Sequence, residues 1–191
     1  MAEKENETTD LNRLRDIIRN AQQQGETYPA NPQARITVGP EGEIYTGDAP
    51  EGQPLSKVQH GTFAARVDGR ELADLRYAAT HMPRNTQFID HADARGWCYS
   101  FRSQMGRPYT MFVYFDGRSY QVKLIEPRLE GKVGAHTAHL FSNGKICLSA
   151  IAGSGQPSLE EAYSKSVLWA TGMDVVLAGF QFPFSINNDD D

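Results

Sequence analysis

The stretches RPYTMFVYFDG at residues 107–117 and SYQVKLIEP at 119–127 decide how this chain folds. In the first, Tyr109, Met111, Val113 and Phe115 alternate with Thr110, Phe112 and Tyr114, the period-two pattern of a strand with two distinct faces. The second is a further strand, closed by Pro127, which has no N–H to give a ladder. Working backwards, GWCYSFRS (96–103) and QFIDH (87–91) have the same β character, with turns at SQMGRP and DGRS. Four strands joined by short connections make an antiparallel meander the simplest topology.

Helical patterns flank the meander. From Asp68 or Gly69, Leu72, Leu75, Ala79 and Met82 recur on one side of a helix that ends before Pro83. After the strands, SLEEAYSKSVLWA opens with Ser158 as N-cap and Glu161 three residues on, a capping-box spacing. ATGMDVVLAGF then supplies a second apolar stretch, with Gly172 read as the break between two helices. Near the start, Leu11, Leu14, Ile17 and Ile18 predict a short amphipathic helix over residues 10–24, with Asp10 as N-cap. Its Arg13, Arg15 and Arg19 read as a solvated polar face, with a basic docking surface as the alternative. Residues 25–61 are rich in Gly and Pro, and ARITV and EIYTG within them fit a small hairpin.

The 191 residues thus divide into an N-terminal helix and Gly/Pro-rich extension (1–67), a main domain (68–184) and an acidic tail (185–191). A formal net charge of -5 without a dense Lys/Arg cluster argues against nucleic acid as a partner. The polar opening MAEKENETTD and the shortness of apolar runs such as VVLAGF predict no membrane span and a cytoplasmic protein. Two cysteines, Cys98 and Cys147, are too few for a disulfide framework and point to reduced thiols.

The chemistry concentrates in HTAHLFSNGKICLSA, residues 136–150. Cys147 follows a turn at Ser142-Asn143-Gly144 and lies in the apolar patch Ile146-Cys147-Leu148. On the residues alone, it reads equally as a small buried hydrophobe or as a nucleophile. Cys98, between Trp97 and Tyr99 in a strand, reads as a core thiol, and Trp169, Val175, Val176 and Leu177 also read as core. His136, His139 and Cys147, with His91 and Cys98 further off, leave open a zinc site, although neither a Cys-x-x-Cys pair nor a carboxylate accompanies the loop-borne His-x-x-His.

The order of helix, four-strand meander with Tyr120 in its last strand, then Asn143-Gly144-Lys145-Ile146-Cys147-Leu148, then Trp169 and a closing helix resembles the ubiquitin-conjugating (E2-like) enzymes. There the active cysteine stands in N-G-x-I-C-L, and the resemblance covers roughly residues 70–180. Thr137-Ala138-His139 and PRLEGK (127–132) are most similar to the branch that conjugates the ubiquitin-fold modifier, where Thr-Ala-Lys replaces His-Pro-Asn. The chain departs from the pattern at Gln121, where the family usually has Pro, at His139, and in the 21 residues between Cys147 and Trp169.

The resemblance implies an α+β, UBC-like fold, with a four-stranded antiparallel meander flanked by helices. It implies Cys147 as the nucleophile that takes a ubiquitin-like modifier from an activating enzyme as a thioester and passes it to an amine on a target, with or without a ligase. His139, at the family's variable third position, is then either an oxyanion donor or a brace for the loop, while Thr137 and Asn143 support that loop. No metal or small cofactor is implied, because ATP is consumed by the activating enzyme. The same fold with a cysteine that is never charged, used as a binding scaffold, is the alternative.

Overall fold

The structure, a computed structural model, describes residues 2–24, 27–29, 36–38, 44–46, 69–149 and 154–184. Helix α1 (Ala2–Gln24) is followed by the short strands β1 (Thr27–Pro29), β2 (Ile36–Val38) and β3 (Ile44–Thr46), then by helix α2 (Gly69–His81). Strands β4 (Gln87–His91), β5 (Ala94–Arg102), β6 (Pro108–Phe115) and β7 (Tyr120–Glu126) form the expected antiparallel meander. One turn of helix, α3 (Ala135–Ala138), and the long α4 (Leu159–Leu177) complete the elements. The class is α+β, an antiparallel sheet flanked by helices. No helix among the described residues is long and apolar enough to cross a membrane.

The sheet has five strands rather than four, in the order β1-β4-β5-β6-β7. Thr27, Tyr28 and Pro29 pair with Ile89, Phe88 and Gln87, an addition too short to leave a period in the sequence. The ARITV/EIYTG hairpin does form, as the separate pair β2–β3.

Alternation along the strands sorts their side chains into two cores. Trp97, Tyr99, Tyr109, Met111, Val113, Tyr120, Val122 and Leu124 pack with Ala162, Trp169, Ala170 and Met173 of α4 and with Ala78 of α2. Ile89, Cys98, Phe112 and Ile125 face the other way, onto Leu11, Leu14, Ile18 and Ala21 of α1. The division drawn after residue 67 therefore does not separate α1 from the main body, because α1 covers the sheet's second face. Burying each such aliphatic side chain contributes about 1.5–3 kcal/mol, which is why α1 docks here.

Four expectations about the helices need correction. α1 does not begin at Asp10 but at Ala2, since nothing in AEKENETT breaks a helix, and Asp10 instead meets Lys123 Nζ at 2.9 Å. Its arginines do not form one solvated face. Arg15 is buried, donating to Ile125 O at 3.0 Å and to both Glu130 oxygens at 2.7 and 3.0 Å, while Arg13 reaches Asp93 at 2.7 Å.

Of the side expected to face inward after Asp68, Met82 is buried and Leu75 packs against the core, but Leu72 is 52% exposed and the buried positions of α2 are Glu71, Asp74 and Ala78. Glu71 accepts two hydrogen bonds from Arg95, at 2.7 and 3.0 Å, and Asp74 accepts from the Tyr120 hydroxyl and from Arg70. Paired carboxylates thus share the inner face with apolar residues, which an apolar periodicity cannot register. Lastly, Gly172 does not break α4, whose ladder runs unbroken through it. Val175, Val176 and Leu177 are half-buried, with Val176 and Leu177 packed against the core. The capping box at the start of α4 forms as read, with Glu161 N–H donating to Ser158 Oγ at 3.1 Å. The acidic tail lies outside the described residues.

Candidate functional site: a thiol on a hairpin at the sheet edge

β7 ends the five-stranded sheet, and the chain after it returns to cover that open edge. Residues 139–147 fold into a small hairpin. Cys147 N–H donates to His139 O at 2.8 Å, Phe141 N–H to Lys145 O at 2.9 Å, and Gly144 N–H to Phe141 O at 3.0 Å. The turn read at Ser142-Asn143-Gly144 is its tip. Asn143 Oδ1 accepts from Lys145 N–H at 3.0 Å, the Asx geometry that lets asparagine start a turn. Gly144 sits at φ +76°, and a Cβ there would lie 2.7 Å from Leu11 Cδ2, so both backbone and space demand glycine.

The returning arm of the hairpin pairs with β7. Leu124 N–H donates to Gly144 O at 2.7 Å, and Ile146 N–H to Val122 O at 2.9 Å. Further along, Tyr120 and Gln156 exchange hydrogen bonds of 2.8 and 2.9 Å. Covering the edge in this way satisfies backbone groups that would otherwise invite other chains. It also holds Cys147 on a rigid element. Ile146 and Leu148 point into the core, so the residue between them faces outward by strand alternation.

Cys147 is accordingly half-exposed, its Sγ 3.4 Å from Ser149 O. The chain just beyond is tied to the body through Leu148 O, which accepts from Gln156 Nε2 at 2.6 Å and Lys165 Nζ at 3.4 Å. Cys98 is the reverse case, 2% exposed beneath α1, and burial pushes its thiol pKa up to about 12.

Thr137, Ala138 and His139 enter the hairpin from α3. The sequence places His136-x-x-His139 in a loop, whereas residues 135–138 complete one helical turn. Thr137 Oγ1 donates to Gly134 O at 3.1 Å, the local bond expected of a loop support. Ala138 is buried, and its carbonyl accepts the indole N–H of Trp169 at 2.9 Å, so Trp169 is both core and anchor for this segment. His139 adopts φ +50°, unusual for a residue with a Cβ, and its carbonyl holds Cys147. Its ring meets that of Phe182 edge to face at 4.9 Å between centroids.

The hairpin thus brings Thr137, His139, Asn143 and Cys147 into one continuous unit. The side chain of His136 lies outside the described residues, and among those described no three His, Cys, Asp or Glu side chains converge as metal ligands would.

Sequence reasoning missed several contributors. Lys145 lies within electrostatic range of Cys147. Its ammonium pKa is lowered by burial, with Lys123 acting in the same sense and Asp116 and Cys147 opposing. Burial pushes the Asp116 carboxyl up, but the N–H groups of Ser119 and Arg118 and the Gln121 amide outweigh it and leave the pKa below 3.8. Gln121, which stands where the resemblance expects proline, is buried with its amide nitrogen 2.8 Å from Asp116. A polar residue buried in the meander's last strand was the available signal for that bond. Nothing in the sequence signalled Phe182.

No protein-family model matches this chain, and neither a curated protein nor a solved structure matches it.

Proposed function

We propose that the chain has a ubiquitin-conjugating (UBC-like) fold and works as an E2-like conjugating enzyme, with Cys147 as its nucleophile. In the first step the Cys147 thiolate attacks the thioester of a ubiquitin-like protein on an activating enzyme. The tetrahedral oxyanion collapses and expels the donor thiolate. In the second, a lysine amine of the target attacks the new thioester, loses a proton and expels Cys147 as thiolate. Both steps develop a negative oxygen, and one well-placed donor to it contributes on the order of 3 kcal/mol. His139 is the proposed donor.

The observation that carries this reading is the hairpin itself. A half-exposed thiol is held by a backbone hydrogen bond from its own N–H to the carbonyl of His139, on an arm paired to the edge strand β7. A purely structural cysteine needs burial, as Cys98 has, and gains nothing from an outward position. The motif resemblance around Asn143–Leu148 supports the same reading, as does the order of meander, Trp169 and closing helix.

Replacing the nucleophile with a poorer leaving group provides the test. Cys147→Ser, expressed where its activating enzyme and modifier are present, should accumulate an oxyester adduct larger by one modifier, stable to thiol and cleaved by base. Wild-type protein should carry the adduct in thiol-labile form. Absence of any adduct from both would contradict the reading and leave a binding scaffold of the same fold.

A further inference from the structure

Past α4 the chain turns back sharply. Gly179 takes φ +92° and donates to Val176 O at 2.9 Å, while Phe180 N–H donates to Val175 O at 3.1 Å. This is a Schellman cap with glycine in its left-handed position, and it sends residues 180–184 back along the helix. Two helical turns earlier is Gly172, the one glycine in α4. A Cβ on Gly172 would stand 2.5 Å from Phe182 Cζ and 2.7 Å from its Cε2, so the absent side chain is the seat for this ring. Glycine inside a helix is less favourable than alanine, so such a seat calls for a gain elsewhere. The same Phe182 ring meets the ring of His139, with centroids 4.9 Å apart and planes at 62°.

We propose that Phe182 is a positioning residue of the reaction site: seated on Gly172, it sets the orientation of the His139 ring, which makes the segment after α4 part of the active centre. The φ of +50° at His139 places it where the chain turns from α3 into the hairpin, and its backbone is fixed by Trp169 acting on Ala138 O and by Cys147 N–H. Those bonds act on the main chain, whereas Phe182 bears on the imidazole itself, and an oxyanion donor must be aimed as well as near. The inference rests on the Cys147 thioester reading for its consequence, but the contact can be measured without it.

Two readouts keep the two ideas distinguishable. The first is the imidazole titration of His139, followed by NMR in the full chain, with Phe182→Ala, Phe182→Leu and Phe182→Tyr variants whose folding is checked by thermal melting. Loss of the aromatic ring should move the His139 midpoint in Ala and Leu, and Tyr should restore it. The second uses 4-nitrophenyl acetate as an acyl donor. The Cys147 thiolate takes the acetyl group, 4-nitrophenolate leaves, and free lysine then attacks the thioester, loses a proton and releases the thiolate.

Phe182→Ala and Phe182→Leu should slow that aminolysis about five- to tenfold, with Tyr within about twofold of wild type. Combined with His139→Ala, Phe182→Ala should slow it no further than His139→Ala alone, because Phe182 acts only through that ring. An unmoved His139 titration in folded Leu and Ala variants, or additive losses in the double variant, would overturn the proposal. A shifted titration in a protein that forms no thioester with any modifier would instead keep the contact and sink the conjugating-enzyme reading.

Discussion

Cys98 and Cys147 are the same chemical group placed in two opposite regions of one sheet. Cys98 lies in β5, in the central part of the sheet, under α1 and among Ile89, Phe112 and Ile125, where burial raises its pKa to about 12. Cys147 lies on a hairpin added to the outer edge, flanked by two inward residues and itself turned outward. The difference teaches that strand alternation and edge position, rather than the residue type, decide which thiol is available for chemistry.

The largest expected effect is on thiol reactivity. At pH 8 a thiol of pKa about 12 is thiolate to roughly one part in ten thousand, and its burial requires opening before reagent can reach it. Mass-resolved iodoacetamide labelling of the folded protein should find Cys147 alkylated at least about a thousandfold faster. Equal protection would erase the distinction between the two regions.

Next in size is the effect proposed for His139, whose carbonyl is bonded to the N–H of Cys147. His139→Ala should slow aminolysis of a preformed Cys147 thioester by roughly ten- to a thousandfold while leaving the fold intact, and His139→Asn should recover more activity than alanine. Single-turnover discharge to free lysine measures it.

Stability should show the reverse asymmetry. Cys98→Ser puts a hydroxyl into an apolar cluster and should cost about 1–3 kcal/mol, whereas Cys147→Ser should stay within about 0.5 kcal/mol of wild type in urea unfolding. Similar costs at both positions would mean that Cys147 is packed as tightly as Cys98.

The smallest effect concerns how α1 is held over Cys98. Burial pushes the Glu130 carboxyl up, but the hydrogen bonds from Arg15 outweigh it and leave its pKa below 4.5. A depressed acid contributes its full stabilisation above its unfolded value and loses it as pH falls through the folded one. Glu130→Gln should therefore lower stability near neutrality, with the difference from wild type shrinking below pH 4.5. A constant difference across that window would show that the ion pair does not secure α1.

How far the sequence foretold this arrangement depended on which force left a local trace. The strands β4 to β7 were legible because two-residue alternation is written directly into segments such as YTMFVYF, and Tyr109, Met111 and Val113 do share one core. The Asn143-Gly144 turn and the Ser158/Glu161 cap were legible for the same reason, since each satisfies its own backbone.

What escaped depends on distant partners. Glu71 and Asp74 face inward only because Arg95 and Tyr120 wait for them in the strands. Gly172 reads as a helix breaker until Phe182 is seen to fill its place. The outward position of Cys147 could not be told from burial until its hairpin was paired with β7.

The central claim is tested most directly by reconstitution. Wild-type protein, its cognate activating enzyme, the modifier and ATP should give on a non-reducing gel an adduct larger by one modifier that disappears on adding thiol, because thiol exchange cleaves a thioester and spares an amide. Cys147→Ala should give none, while Cys98→Ala should be charged as wild type is. If Cys147→Ala carries and transfers the modifier normally, the account given for this hairpin is wrong.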